Sequence, residues 1–212
     1  MKVGILWDLD GTLLDTLEDL TDGVNYALSQ FSYPLRTKEE VRRFVGNGAY
    51  RLISLAVPEH ADPEPVFAAF QTYYAANCQI KTKPYEGITE VLELLKGRYP
   101  MAVVSNKPDG AVKTLCAQYF PGLSARGESA DCPRKPAPDM VQKAMADIGV
   151  ESCIYVGDSE VDVLTAENAG VPCLSVLWGF RDREELEAAG GMHYCSTPEE
   201  LVKELEEIIH GQ

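Results

Sequence analysis

The 212-residue chain predicts an α/β protein in which a Rossmann-like, doubly wound parallel sheet is interrupted by an inserted all-helical cap. Three observations carry this. From Pro84 onward short apolar runs alternate with helical patterns, the arrangement that builds a parallel sheet with helices on both faces. A further run, Val3 to Trp7, opens the chain and is short and aliphatic, as a strand buried on both faces is. Between them, residues 16–82 show helical spacing without a strand signal, a stretch too long for a simple crossover. The expected division is a core of residues 1–15 and 83–212 and a cap of residues 16–82.

The first strand stops at Asp8, leaves one residue and presents Asp10 before the turn at Gly11 and Thr12. Side chains on a strand repeat every two residues, so the two carboxylates start on one side and repel. A divalent cation, a proton held on one carboxyl group, or the N–H groups of the turn can each compensate them. Read as a calcium loop of the EF-hand kind the segment fails, because Leu13 stands where glycine is needed.

Leu17, Leu20, Val24, Ala27, Leu28 and Phe31 then recur at helical spacing and predict a helix starting near Asp15 or Thr16 and ending before Tyr33-Pro34. A capping box, Thr37 with Glu40, opens the next helix, and Gly46-Asn47-Gly48 closes it. Helices over 49–57 and 63–78 follow, the latter with Asp62 as N-cap and Pro63 in its first turn. In the core, strands are expected at 101–104, 123–126, 153–156, 172–177 and 192–195, and helices at 87–97, 109–119, 138–148, 160–169, 182–189 and 198–209. Gly170 ends the fourth of these helices, and Thr197 with Glu200 forms a second capping box. Ligands of open α/β sheets bind beyond the carboxyl ends of the strands, so the cap is expected to lie over the site.

Composition narrows the function. A net charge of −14 argues against nucleic acid and against an anionic membrane as partner, since both are repelled at long range. No apolar run approaches 18 residues and no basic, hydrophobic leader precedes the first strand, so a cytoplasmic location is expected. Six cysteines lack any Cys-x-x-Cys pair and read as reduced, buried thiols. His60, His193 and His210 lie far apart, without metal-binding spacing, which leaves a carboxylate as the expected proton carrier.

Polar residues recur at the strand ends: Ser105-Asn106-Lys107 after the second, and Gly157-Asp158 with Asp162 one helical turn on after the fourth. Arg134-Lys135-Pro136-Ala137-Pro138-Asp139 precedes the helix at 138–148, with Asp139 expected to cap it and Lys107 expected to be solvated. These segments, together with Asp8-Leu-Asp-Gly-Thr-Leu-Leu-Asp-Thr16, resemble the four motifs of the haloacid dehalogenase superfamily in its phosphatase form, in the family's order. The stretches Phe44 to Ala49 and Trp178 to Arg181 are most similar to its phosphoglycolate phosphatases.

The resemblance implies a role for each residue. Asp8 attacks phosphorus and Asp10 is the general acid and base, which requires Asp10 to begin protonated. Ser105, beside Asn106, hydrogen-bonds a phosphate oxygen, and Lys135 neutralises both the phosphate and Asp8. Mg2+ sits on Asp8, Asp158 and the backbone carbonyl of Asp10, with Asp162 supporting from behind. The expected activity is magnesium-dependent hydrolysis of a small phosphorylated metabolite through an aspartyl phosphate, with phosphoglycolate leading, and loop 46–48 is expected to meet the leaving group. A phosphosugar mutase of the same fold is the alternative, disfavoured by Thr12 where mutases usually carry an apolar residue. A catalytically silent binding module would show a decayed motif, and none is visible.

Overall fold

The computed structural model describes residues 2–211. Strand β1 (Val3–Trp7) leads through β2 (Leu14–Asp15) into four helices, α1 (Leu17–Gln30), α2 (Lys38–Phe44), α3 (Ala49–Ala56) and α4 (Pro63–Asn77), and the chain returns through β3 (Lys83–Pro84). Alternation follows: α5 (Ile88–Leu95), β4 (Met101–Pro108), α6 (Asp109–Tyr119), β5 (Ser124–Glu128), α7 (Asp139–Ile148) and β6 (Ser152–Gly157). The chain ends with α8 (Glu160–Ala169), β7 (Cys173–Val176), α9 (Arg183–Ala188), β8 (His193–Cys195) and α10 (Pro198–His210).

Six strands form one parallel sheet in the order β5-β4-β1-β6-β7-β8. All six strands expected from the sequence are present. From β1 the chain builds outward to β4 and β5 on one side, then crosses to β6, β7 and β8 on the other, so the end of β1 lies at the switch point where such sheets open a crevice. Parity explains the apolar runs. Ile5, Trp7, Val103, Ile154 and Val156 face one helical layer with α5, α6 and α10, whereas Leu6, Ala102, Val104, Cys153 and Tyr155 face α7 and α8.

The helical insert joins the core through a narrow neck. Its two connections pair as an antiparallel ribbon, Leu14 with Pro84 and Asp15 with Lys83, too short for a strand signal in the sequence. Buried Asp19, in the first turn of α1, accepts hydrogen bonds from the N–H groups of Lys81 (3.0 Å) and Thr82 (2.8 Å), which staples the outgoing helix to the returning chain. Inside the insert, Gly23 lets α1 approach α4: a Cβ there would meet the Phe70 ring at 3.0 Å and the Tyr74 ring at 3.3 Å.

Of the four capping expectations at helix N-termini, two hold and two do not. The Thr37–Glu40 box forms, and Asp62 accepts from the Glu64 N–H at 3.0 Å with Pro63 in the first turn. Thr197 makes no side-chain cap; Glu200 reaches back one residue further, to the N–H of Ser196 (3.1 Å). Asp139 does not cap α7, because the helix begins on it and Pro138 occupies the cap position.

Candidate active site

Where β1 ends, the N–H of Asp8 still bonds to the carbonyl of Val156, so Asp8 is fixed to the strand beside it. The chain then folds tightly: Leu13 and Leu14 both donate to the carbonyl of Leu9, and Gly11 takes φ +86°, a conformation that favours glycine. Asp8, Asp10, Ser105, Asn106, Lys135 and Asp158 all line one cavity of ≈ 50 Å³, roofed by Leu20, Val45, Ala49, Leu52 and Phe70 of the insert. Side chains separated by up to 150 positions along the chain thus share one wall.

Lys135 organises the carboxylates. Its ammonium donates to Asp162 Oδ1 (2.7 Å) and to the Tyr155 hydroxyl (3.0 Å) and lies 2.8 Å from Asp8 Oδ1. The approach to Asp8 is an ion pair without hydrogen-bond alignment, and Asp8 Oδ1 has no hydrogen-bond donor. Burial pulls Lys135 toward neutrality, but Asp162 and Asp8 outweigh it and hold the lysine well above its ordinary value. Burial pushes Asp8 up to about 7 against the pull of Lys135, with Asp162 and Asp10 adding to the rise. Burial likewise drives Asp158 well above the carboxylate range, reinforced by Asp162 and Asp8.

Oxygens of Asp8, Asp158 and Asp162 lie within 4.8 Å of one another. They are not equivalent. Asp162 Oδ2 accepts from the N–H groups of Asp158 (3.2 Å) and Ser159 (3.0 Å) and from the Ser159 hydroxyl (2.6 Å), which saturates it, while Oδ1 is tied to Lys135. Asp158 has only one donor on each oxygen, Thr12 Oγ1 on Oδ1 (3.1 Å) and the Phe180 N–H on Oδ2 (2.7 Å). It is held in a slot of glycines: a Cβ on Gly11 or Gly179 would come within 2.3 Å of it. A hard, oxygen-seeking cation therefore fits between Asp8 and Asp158, where buried carboxylates keep open acceptor capacity.

Lys107 is not solvated as expected. Its side chain is buried and donates to Asp10 Oδ1 (2.8 Å) and to the hydroxyl of Tyr74 on α4 (2.7 Å). Burial pulls it down, but Asp10 and Tyr74 reverse that and hold it above its ordinary value. The strand β4 runs on through Ser105, Asn106 and Lys107, beyond the end expected at residue 104, with a register shift between Val104 and Pro108. Asn106 lines the cavity, but its amide is engaged with backbone: Oδ1 accepts from the Lys135 N–H (2.8 Å), and Nδ2 donates to the carbonyls of Lys135 (3.0 Å) and Gly46 (3.2 Å). Ser105 Oγ accepts from the Lys107 N–H (3.3 Å), leaving its proton to donate.

The segments 44–49 and 178–181 face each other across the mouth. Trp178 Nε1 donates to the Thr12 carbonyl (3.0 Å), Gly179 makes room for Asp158, and the Phe180 N–H binds it. Arg181, buried, pairs with Glu160 (2.8 Å) and donates to the carbonyls of Arg42 (3.1 Å) and Val45 (2.7 Å) at the end of α2. A cation there suits the carbonyl-rich helix terminus. Tyr74 and Tyr155 had no local signal in the sequence, because their partners lie on other elements, and Arg181 was marked only as the end of the stretch 178–181.

A parallel sheet with carboxylates gathered at its switch point, under a helical insert, defines a hydrolase of one class: the chain belongs to the haloacid dehalogenase-like hydrolase family, whose model matches residues 5–176. Within that family it is a phosphoglycolate phosphatase-like phosphoric monoester hydrolase. Phosphoglycolate phosphatase 1 of Pseudomonas aeruginosa is 34% identical over 190 residues, 83% of this chain and 70% of its own. The phosphoglycolate phosphatase of Mesorhizobium japonicum is 30% identical and covers 95% of each chain. A crystal structure from Lactobacillus delbrueckii subsp. bulgaricus, whose name carries a provisional phosphoglycolate phosphatase assignment, superposes with a TM-score of 0.90 at 36% identity, over 97% of this chain and 99% of its own.

Proposed function

We propose that the protein is a magnesium-dependent phosphatase that hydrolyses a small phosphomonoester through an aspartyl phosphate on Asp8, with phosphoglycolate the leading substrate. The observation that supports it most is the pairing of Asp8 with Lys135 beside Asp158, at the base of a cavity that Asp10 also lines. The names of the relatives point to phosphoglycolate, and a cavity of ≈ 50 Å³ suits a leaving group of few atoms.

Asp8 attacks phosphorus in line with the ester oxygen, which divides one difficult displacement into two. Asp10 gives a proton to the departing oxygen and then takes one from the water that cleaves the intermediate. For that first step its hydrogen bond from Lys107 must rearrange as substrate arrives. Lys135 lowers the repulsion between Asp8 and the incoming phosphoryl group, and the Ser105 hydroxyl donates to one of its oxygens. Asn106 holds the Lys135 backbone in place. Bound by Asp8, Asp158 and the Asp10 carbonyl, Mg2+ would supply positive charge to the transferring group. Residues 16–82 act as a cap domain over a core of 1–15 and 83–212, and exclude bulk water when closed.

Phosphate release from a panel of small phosphoesters, with Mg2+ and with chelator, tests the reading together with Asp8→Asn. Expected are turnover that needs the cation, a preference for phosphoglycolate and loss of activity in the variant. Full turnover by Asp8→Asn would remove the covalent route.

A further inference from the structure

The insert lines the cavity with almost wholly apolar groups, Leu20, Val45, Leu52 and Phe70 among them. Tyr74 is the polar side chain that the insert adds to that lining, and Lys107 of the core bonds to it. The other cations at the cavity are committed. Lys135 donates to Asp162 and Tyr155 and is ion-paired with Asp8, and Arg181 holds Glu160 and two carbonyls of the insert.

Lys107 differs. An ammonium carries three N–H groups and here donates two, to Asp10 (2.8 Å) and to Tyr74 (2.7 Å). Lysine cannot accept, so the Tyr74 hydroxyl is the acceptor of that bond and its own proton is left to donate. Among the described residues no acceptor is paired with that proton or with the third N–H of Lys107. Two donors on atoms 2.7 Å apart match the two oxygens of a carboxylate. Tyr74 is held for this role by stacking on Phe70, with centroids 5.1 Å apart and planes at 12°, and Lys107 lies 4.6 Å from the centre of the Tyr74 ring.

We propose that Lys107 and Tyr74 form the subsite for the leaving group, and that it takes a carboxylate one carbon removed from the ester oxygen. The class of substrate is then the phosphate esters of short 2-hydroxycarboxylates. This rests on the phosphatase reading above and adds to it the residues that discriminate. Tyr74 comes from the insert and Lys107 from the core, so the subsite is complete only when the two are in contact. Tyr74 is a specificity residue here and takes no part in bond making.

The test compares phosphoglycolate with its neutral carboxamide and with ethyl phosphate, in the wild type and in Tyr74→Phe, at saturating Mg2+. The wild type should favour the carboxylate over the carboxamide by about tenfold or more in kcat/KM, as expected for a charge-assisted pair of hydrogen bonds. Tyr74→Phe should lower kcat/KM for phosphoglycolate about tenfold, mostly through KM, and change that for the carboxamide less than about twofold. Equal losses on both esters would show that Tyr74 is merely structural and would overturn the proposal, as would a wild type indifferent to the carboxylate. Ethyl phosphate separates the two readings: its hydrolysis alongside such indifference sinks the subsite alone, whereas no turnover of any ester sinks the phosphatase itself. Should Tyr74→Phe not fold, product inhibition of the wild type serves, glycolate being expected to inhibit about tenfold better than glycolamide, and equal inhibition overturning the subsite.

Discussion

Asp162 holds Lys135 from below at 2.7 Å while its second oxygen gathers the N–H groups of Asp158 and Ser159, so one buried carboxylate sets both the lysine and the start of α8. Removing it leaves a buried cation short of charge and two N–H groups without acceptors. Asp162→Ala is expected to lower unfolding free energy by about 3–5 kcal/mol, the usual result of breaking a buried pair. Urea denaturation measures it, and a loss under about 1 kcal/mol, the range of exposed pairs, would contradict the account.

The carboxylates also set the response to pH. Asp8 is pushed from an ordinary 3.8 up to about 7, with burial the main cause, so with divalent cations chelated the native protein holds a proton there that the unfolded chain has released. Stability then falls as pH rises through that range, because the native state is the one that binds protons. Scanning calorimetry in chelator should show Tm declining from pH 5 to pH 8. Added Mg2+ should raise Tm, and more at pH 8 than at pH 5, since its ligands must be ionised. A Tm that climbs with pH in chelator would refute this.

Gly179 has no space for a side chain: an added Cβ would lie 2.3 Å from Asp158 Cβ. In Gly179→Ala the Asp158 carboxylate must move, and the Mg2+ concentration giving half-maximal activity should rise about 10- to 100-fold, as when support for metal ligands is lost. Titration of activity with Mg2+ decides, and an unchanged midpoint would show that Asp158 does not hold the cation.

Arg181→Lys keeps the charge and loses the planar fork that reaches Arg42 and Val45 across the mouth. The insert should then open more readily. Limited proteolysis should cut faster near residues 46–48, and KM should rise several-fold, roughly as for other closure contacts. Cleavage at the wild-type rate would mean that Arg181 does not latch the insert.

Burial pushes the thiols of Cys116, Cys153, Cys173 and Cys195 up to about 12. Since the thiolate is the reactive form, iodoacetamide at pH 7.5 should leave these four unmodified in the native protein and label them in urea. Mass spectrometry of the digested protein reads this directly.

Much of the fold was legible because its signals are local. An apolar run of alternating parity announces a doubly covered strand, and Thr37-Lys-Glu-Glu40 closes its own box. What escaped was decided at a distance. Lys107 follows two polar residues and reads as solvated, yet β4 carries it inward to Asp10 and to Tyr74. Thr197-Pro-Glu-Glu200 has the spacing of a box, but Glu200 is drawn to Ser196. Asn106 marks the right strand end, and only the folded chain reveals that its amide braces Lys135 and Gly46.

The neck between Leu14–Asp15 and Lys83–Pro84 has a consequence for how such molecules diversify. Departure and re-entry are adjacent rungs of one ladder, so the sheet experiences the intervening helices as though they were a hairpin, whatever their number. Transplanting another roof onto those two rungs, with Asp19 and its clasp on residues 81 and 82 retained, should leave the floor of the cavity intact. The backbone link between core and insert is thus a single two-rung ladder, and the insert can vary in length and number of helices while that ladder is kept.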